Sequence, residues 1–549
     1  MSQSTDPAIE RRAFLAHSLV GGAALLGLDR QQSPGDPLTA IPLPSEIAAA
    51  PDPLFERSVT ELSAMMQRGE LSARGLAERY LARIEAFDRR GAAVNAVIEA
   101  NPEALAIADR ADAEHRAGRS IGPLHGIPIL IKDNIDTGDR MRTSAGSLAL
   151  ATSSAPRDAF IVERLRLAGA VLLGKTNLSE WANFRSTRAT SGWSGRGGQT
   201  RNPYVLDRNP CGSSSGTGAA IAADFATIGI GTETDGSIIC PSALCGLVGV
   251  KPTVGLWGRS GIIPISASQD TAGPMARSVA DAAALLGALT GVDPRDRATL
   301  ASKGHSRDDY QGQLDTAALK GARIGVARNL AGFHPEVDQR FDEAIRALRD
   351  AGAIIVDPAN LVTAGTFDAA EGIVLDYEFK AGLNAYLATR GAGSPVRTLA
   401  DLIAWNEQEK EREMPWFGQE TFIRAQRVGA LTDRKYLDAR ARCLLKSRTE
   451  GIDATMNRGR LDAIVLPSNQ PAWTTDLLNG DHFTGGNTSF AAVAGYPSIT
   501  VPMGLVHELP VGLSFIGRAW AEPRLLGLAY AFEQATQLRR SPRFLPTLG

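Results

Sequence analysis

Residues 211–237 read CGSSSGTGAAIAADFATIGIGTETDGS: a polar loop, a helix over 219–224, a strand over 226–230 and a second polar turn. Glycine, serine and threonine dominate both turns. Two such turns beside a buried helix and strand expose backbone N–H groups and hydroxyls in one place, as an oxyanion site requires. Ordinary turns also use serine and glycine for backbone reasons, so composition alone leaves both interpretations open.

The same alternation of short strands and helical patterns extends outward from this segment. A capping box at Ser58–Glu61 begins the first helix. We therefore predict one α/β domain over 58–540, with a large mixed β-sheet covered by helices on both faces. Residues 365–460 are predicted to form a helical cap or insertion, with 407–413 as a solvated face. The predicted strands are 127–131, 171–173, 226–230, 324–326, 354–356, 463–466, 498–501 and 511–516.

The overall composition suits a globular protein with a large core. The chain has 549 residues and a net charge of -2, with 44% hydrophobic and 21% charged residues. Because the charge is nearly balanced and no basic stripe is present, nothing in the sequence favours a nucleic-acid partner.

The N-terminus has the pattern of an export signal. Arg11 and Arg12 precede an apolar stretch that runs to about Leu28. This pattern is typical of a twin-arginine (Tat) signal, predicted over 1–29 and followed by a Pro/Ala/Ser-rich linker over 30–57. The apolar stretch is too short for a stable membrane span. We expect a periplasmic or secreted protein that meets the Tat machinery transiently. The alternative is a disordered tail with a chance arginine pair.

The spacing of the four cysteines, Cys211, Cys240, Cys245 and Cys443, fits no metal or disulfide framework. Cys240 and Cys245 lie in an apolar run and are predicted to be small buried hydrophobic residues.

Lys132 follows the apolar strand 127–131 directly. Lysine is almost never fully buried without a partner, so burial here would indicate a function. The alternative is that the side chain extends from the strand end into solvent.

Several motifs together resemble the amidase signature family. In order along the chain, they are GPLHGIP (122–128), KDN (132–134), GKTNLSEW (174–181), GSSSG (212–216), GTETDGS (231–237), CGLVGVKPT (245–253), AGYPSITVP (494–502) and LPVGL (509–513). The resemblance covers about residues 58–537 and implies an enzyme that hydrolyses carboxamide bonds.

Matched residue by residue, the family's nucleophile falls on Ser237, its cis-serine on Ser213 and its base on Lys132. The resemblance further implies an oxyanion hole built from four backbone N–H groups, and neither a metal nor an organic cofactor. Ser214 and Ser215 would be loop residues without a direct chemical role. The four N–H groups belong to Thr234, Asp235, Gly236 and Ser237.

Two departures from the common family pattern narrow the subtype. Asp235 and Gly236 stand where two glycines are usual, and Ile239 and Cys240 stand where an arginine often follows. Both variants, and the SGWS loop at 191–194, resemble the peptide amidase branch of the family. We therefore expect removal of C-terminal amides from peptides, with aryl or aliphatic amides as the alternative substrates.

The predicted mechanism requires a neutral lysine. An unperturbed lysine, with a pKa of about 10.4, is neutral to only about one part in a few thousand at pH 7. Burial in an apolar environment can lower the pKa of a lysine by several units. Lys132 could then take the Ser237 proton through Ser213, and Ser237 would form an acyl-enzyme.

Three rival interpretations remain at this level. Residues 169–176, GAVLLGKT, match a P-loop pattern, but 170–173 is an apolar strand and not a polar loop. GSSSG also matches G-x-S-x-G, which would make Ser214 an esterase nucleophile served by one of His305, His334, His482 or His507. Finally, members of this family can be components of amidotransferases that act on charged tRNA. The predicted export signal argues against such a role.

Overall fold

The computed structural model describes residues 52–391 and 393–549. The predicted signal, and residues 30–51 of the predicted linker, lie outside the described residues. The remainder of that linker, 52–57, packs on the domain, where the ring of Phe55 stacks on Tyr80 and the Glu56 N–H donates to the Asp224 carboxylate at 2.8 Å. Among the described residues, no helix combines the length and the apolar character that crossing a membrane requires.

A single mixed sheet of eleven strands forms the centre of the described domain, and a separate two-stranded hairpin lies outside it. In chain order the strands are β1 (Val97–Ala100), β2 (Pro128–Lys132), β3 (Val171–Thr176), β4 (Trp193–Ser194), β5 (Gly198–Gln199), β6 (Ile228–Glu233), β7 (Val248–Lys251), β8 (Thr271–Ala276), β9 (Arg323–Val326), β10 (Ile354–Val356), β11 (Ala463–Pro467), β12 (Ser498–Val506) and β13 (Leu509–Ile516). The spatial order is β1-β3-β2-β6-β8-β7-β12-β13-β11-β9-β10, and β4 pairs with β5.

Helices cover this sheet, as the sequence predicted for an α/β domain. They are α1 (Val59–Gln67), α2 (Ala73–Arg83), α3 (Ala104–Arg116), α4 (Phe160–Leu167), α5 (Ser215–Ala222), α6 (Ile239–Leu244), α7 (Val279–Ala288), α8 (Pro335–Asp350), α9 (Asp368–Ala388), α10 (Leu399–Gln408), α11 (Lys410–Glu413), α12 (Glu420–Gln426), α13 (Arg434–Leu444), α14 (Asp453–Gly459), α15 (Ser489–Ala494) and α16 (Glu522–Thr536). Short π-helical turns follow α2 and α13, at Ile84–Arg89 and Leu445–Ile452.

The eight predicted strands are all present, although several extend further than their apolar cores. The capping box is also confirmed, because Ser58 accepts from the Glu61 N–H and the Glu61 side chain returns to the Ser58 N–H. The sequence pattern missed β1, the β4–β5 hairpin, β7 and β8. Strand β8 contains Gly273 and Pro274, which disfavour strand assignment, yet the strand is fully buried between two neighbours.

The described part of residues 368–459 is mostly helical and lies between β10 and β11 in the chain. The prediction of a solvated face over 407–413 is wrong at its last residue, because Glu413 is 0% exposed. Its carboxylate accepts from the Ser147 hydroxyl and, at 3.1 Å, from the Leu148 N–H. The end of α11 thus turns into the domain to satisfy polar groups of a distant loop, which the charge pattern could not indicate.

Candidate active site

The site lies where two neighbouring parallel strands end. Strand β2 ends at Lys132, and β6 pairs with it in parallel, with Leu130 opposite Gly229. The carboxyl ends of parallel strands meet at one edge of a sheet, where α/β proteins commonly bind ligands. The loop before α5 brings Ser213 to this edge, and the turn after β6 brings Ser237.

Lys132 is fully buried, with 0% of its side chain exposed, so it does not extend into solvent. Its Nζ atom lies 2.7 Å from Ser213 Oγ, 3.0 Å from Thr232 Oγ1 and 3.3 Å from Thr232 O. Burial lowers the pKa of Lys132 well below its ordinary value, and the more distant carboxylates of Glu233 and Asp270 oppose this only in part. A neutral amine in this position can accept a proton.

The two predicted serines are neighbours. The peptide bond between Gly212 and Ser213 is cis, and the Ser214 N–H donates to the Ser237 carbonyl at 3.1 Å. Ser213 is fully buried, and Ser237 is 8% exposed. Within the described residues, no hydrogen bond joins the two hydroxyls directly. The structure thus pairs Lys132 with Ser213 and places Ser237 beside them.

The turn from Thr234 to Ser237 presents unpaired backbone donors. Within residues 52–391 and 393–549, none of its four N–H groups donates a hydrogen bond to another protein atom. Gly236 has φ +80, and a Cβ there would meet Thr488 Oγ1 at 2.9 Å, so only glycine fits. A run of unpaired N–H groups around one turn has the geometry of an anion-binding nest.

A cavity of about 410 Å³ reaches this turn only at Thr234, and Lys132, Ser213 and Ser237 are not among its lining residues. Asn134 and Thr232 also line it, the apolar residues 262–265 form one wall, and Tyr386 of α9 contributes to it. A space of this size accepts a small organic molecule or part of a peptide.

Sequence reasoning assigned no role to three residues that complete the site. The Thr232 hydroxyl accepts from Lys132 and, at 2.9 Å, from the Asn134 amide. The Glu233 carboxylate accepts from the N–H groups of Ile238 and Ile239 at 2.7 and 2.9 Å, which fixes the start of α6 directly after the 234–237 turn. Asn134 belongs to the KDN motif, which was a usable signal. Nothing in the sequence distinguished Thr232 from its neighbours.

A disulfide joins the loop that carries Ser213 to helix α6, which follows the Ser237 turn, and this corrects the expectation for the cysteines. Cys211 and Cys240 are bonded across a sequence separation of 29, with Cα atoms 5.9 Å apart, whereas Cys245 and Cys443 are free and buried. The prediction of a small buried hydrophobic residue is therefore wrong for Cys240 and holds for Cys245. Helix α5 and strand β6 run back on each other and so bring Cys240 next to Cys211. The spacing of the cysteines alone could not indicate this proximity.

The geometry excludes two rival interpretations. Lys175 lies inside β3, is fully buried, and donates to the Ile135 carbonyl at 2.6 Å, so it cannot reach a nucleotide phosphate. The Ser214 hydroxyl donates to the Thr232 carbonyl at 3.1 Å and accepts from the Thr232 N–H. No described histidine hydrogen-bonds to Ser214, and no strand precedes it directly, so it lacks the setting of an esterase nucleophile.

Comparison with known proteins identifies the family of this chain. The family profile described as Amidase matches residues 75–526. A protein of Arabidopsis thaliana described as "Probable amidase" is 40% identical over 500 residues, covering 89% of this chain and 92% of the relative. A component of the glutamyl-tRNA(Gln) amidotransferase of Acinetobacter baylyi is 34% identical, with coverage of 88% of this chain and 96% of the relative.

Among solved structures, the native peptide amidase from Stenotrophomonas maltophilia is 52% identical, with a TM-score of 0.86 and coverage of 90% of this chain and 99% of that one. The fold, the motif order and the similarity over nearly the whole described domain therefore agree. The chain belongs to the amidase signature family and is an amide-hydrolysing enzyme.

Proposed function

We propose that this enzyme is a serine amidohydrolase in which Ser237 is the nucleophile, Ser213 the proton relay and Lys132 the base. The observation that carries the proposal is the 2.7 Å contact between Lys132 Nζ and Ser213 Oγ, two side chains that are both fully buried. A buried, neutral lysine can act as a general base near neutral pH, whereas a solvated lysine cannot.

In the proposed reaction, Ser213 gives its proton to Lys132 and takes one from Ser237, because a hydroxyl both donates and accepts. Ser237 Oγ attacks the carboxamide carbon, and the resulting oxyanion lies against the N–H groups of the 234–237 turn. The C–N bond breaks as the proton held by Lys132 returns through Ser213 to the leaving nitrogen. Water then attacks the acyl-enzyme, and the same groups restore the Ser237 proton.

Active-site variants test these roles. We expect Ser237→Ala to abolish turnover and to prevent formation of a covalent acyl adduct, detectable by intact-protein mass spectrometry. Ser213→Ala removes the relay but keeps the nucleophile, so it should reduce the acylation rate by about 10²–10⁴-fold. Full activity of the Ser237→Ala variant would exclude the proposed nucleophile.

We further propose that the substrate is a peptide with a C-terminal amide. The 52% identity to a peptide amidase supports this, as does the cavity of about 410 Å³ with one apolar wall. Aryl and aliphatic amides are the alternative substrates. Ammonia release from a peptide amide, and product release from an anilide and a small aliphatic amide, would be compared as kcat/KM. Preference for the anilide or the aliphatic amide would overturn the peptide assignment.

A role as one component of an amidotransferase is the second candidate, because the amidotransferase relative is 34% identical. The higher identity to a peptide amidase, 52%, favours an amide hydrolase over an amidotransferase component. Purification of the chain from its native cells would test this, since a stable complex with partner proteins would support the second candidate.

We also propose that residues 1–29 direct Tat export and that the enzyme works in the periplasm or outside the cell. The disulfide between Cys211 and Cys240 supports an oxidising compartment, where such bonds persist. Cell fractionation of the wild-type protein and of an Arg11→Lys/Arg12→Lys variant tests the proposal. Equal retention of both proteins in the cytoplasm would contradict it.

A further inference from the structure

Asn134 is a buried polar residue of the cavity that the proposed mechanism does not use. It follows β2 by two residues and is 3% exposed. Its Nδ2 donates to Thr232 Oγ1 at 2.9 Å, and the same oxygen accepts from Lys132 Nζ at 3.0 Å. Its carbonyl accepts from the Ile263 N–H at 2.9 Å, so the main chain is fixed as well. The Asn134 amide is therefore held in one orientation, two hydrogen bonds from the proposed base.

The oxygen of this amide has no protein partner. Within the part of the chain that the structure describes, no donor hydrogen-bonds to Asn134 Oδ1, although the atom is buried. A buried acceptor without a donor costs free energy, and native proteins rarely leave one unpaired. Asn134 lines the cavity of about 410 Å³, together with Ala182 and the apolar wall. Because Thr232 holds Nδ2, Oδ1 is the atom that Asn134 can offer to the cavity.

The chemistry of an amide oxygen limits what it can bind. It accepts hydrogen bonds and donates none, so its ligand must supply an N–H or O–H group. In a peptide amide whose carboxamide carbon lies at Ser237, the nearest N–H outside the carboxamide is the backbone N–H of the C-terminal residue. Ser237 does not line the cavity, whereas Asn134 does, so the acceptor lies on the side that receives the remainder of the substrate.

We propose that Asn134 is a specificity-determining residue whose Oδ1 accepts a hydrogen bond from the backbone N–H of the substrate's C-terminal residue. This inference rests on the proposed function, because it takes Ser237 as the nucleophile and a peptide amide as the substrate. An anilide or a simple aliphatic amide has no N–H on the acyl side and would leave Oδ1 buried without a donor. A site built to bind an N–H group rejects analogues that lack it.

A water molecule is the alternative donor. A small enclosure of about 10 Å³ shares Asn134, Ala182 and residues 263–265 with the cavity, and it is also lined by Trp181 and Phe379. Among the described residues, no acceptor pairs with Trp181 Nε1. A space of this size holds roughly one water molecule, which would bridge the two side chains. If water were the donor, the enzyme would not sense the substrate N–H.

Two substrates that differ at one atom measure the proposed hydrogen bond. N-acetylphenylalanine amide carries the backbone N–H, whereas O-acetylphenyllactic amide has an ester oxygen in its place and keeps the same carboxamide. Ammonia release reports cleavage of the same bond in both. We expect the full-length wild-type enzyme to have a kcat/KM about 5- to 100-fold higher for the N–H substrate, because the ester oxygen leaves Asn134 Oδ1 without a donor.

Variants of Asn134 connect this preference to its side chain. Asn134→Ala removes the acceptor, so the ratio of the two kcat/KM values should fall to within about twofold of one, whatever the absolute rates. Asn134→Asp keeps an oxygen acceptor and should retain the preference for the N–H substrate. Trp181→Phe is the matched control, because it removes the unpaired donor of the small enclosure and leaves Asn134 in place, and it should keep the wild-type ratio.

Equal kcat/KM values for the two substrates in the wild-type enzyme would overturn the inference without any variant. A preference that persists in Asn134→Ala would also overturn it, because another acceptor would then bind the N–H group. If the wild-type enzyme released ammonia from neither substrate and cleaved an anilide instead, the proposed peptide substrate would fail first, and the inference with it. The failure of the inference alone is thus distinguishable from the failure of the proposed function.

Discussion

Removal of the disulfide between Cys211 and Cys240 gives a stability change that can be worked out from the structure. The bond closes a loop with a sequence separation of 29. The chain-entropy relation for a loop of this length gives about 3.6 kcal/mol of stabilisation at 25 °C. A domain of about 500 residues has an unfolding entropy near 1 kcal/mol/K, so this loss corresponds to a fall in Tm of about 3 °C.

Thermal unfolding followed by circular dichroism is the assay. The wild-type protein would be compared with a Cys211→Ala/Cys240→Ala variant, each with and without a thiol reductant during the scan. We expect the variant to melt about 3 °C below the oxidised wild type. Reductant should lower the wild-type Tm by a similar amount and leave the double variant unchanged.

Cys443→Ala serves as the control, since Cys443 is a buried free thiol on α13. This variant should keep the full response to reductant. A wild-type response below 1 °C, or an equal response in the double variant, would refute the assignment of the stabilisation to this bond.

The remaining predictions concern the site. Lys132→Met should lower kcat by about 10²–10⁴-fold, because it removes the general base. It should not lower Tm, because it also removes the cost of burying an amine. Initial rates measure the first effect and circular dichroism the second. On the acid side, kcat/KM should rise as the pH passes through the lowered pKa of Lys132, since only the neutral amine accepts a proton. Lys132→Arg should be inactive at every pH tested, because arginine stays charged. Ser214→Ala should keep kcat within about tenfold of the wild-type value. It should lower the free energy of unfolding by about 1–3 kcal/mol, because the Ser214 hydroxyl hydrogen-bonds to both the N–H and the carbonyl of Thr232. A loss of kcat as large as that of Ser213→Ala would reopen the esterase interpretation.

Much of the site was accessible from the sequence because its residues belong to local motifs. Lys132, Ser213 and Ser237 each lie at a strand end or in a Gly/Ser turn, and the motifs occur in a fixed order. Resemblance to the amidase signature family identified all three, whereas composition alone left ordinary turns and a solvent-exposed lysine as alternatives. Seven of the eight predicted strands are short apolar runs that are buried, whereas Ile354 of the edge strand β10 is exposed.

By itself, the sequence determined the α/β class and the family, and it supplied the three side chains proposed to react, because strand periodicity, turn chemistry and motif order are encoded within a few tens of residues. Only the tertiary structure decided which distant side chains meet. Gln269 and Glu371 are 102 residues apart, yet they hydrogen-bond beside the 234–237 turn, and Glu413 is buried despite its charged surroundings in sequence. Such contacts depend on how the helices of residues 368–459 pack against the rest of the domain, and no local pattern of charge or hydropathy records that packing.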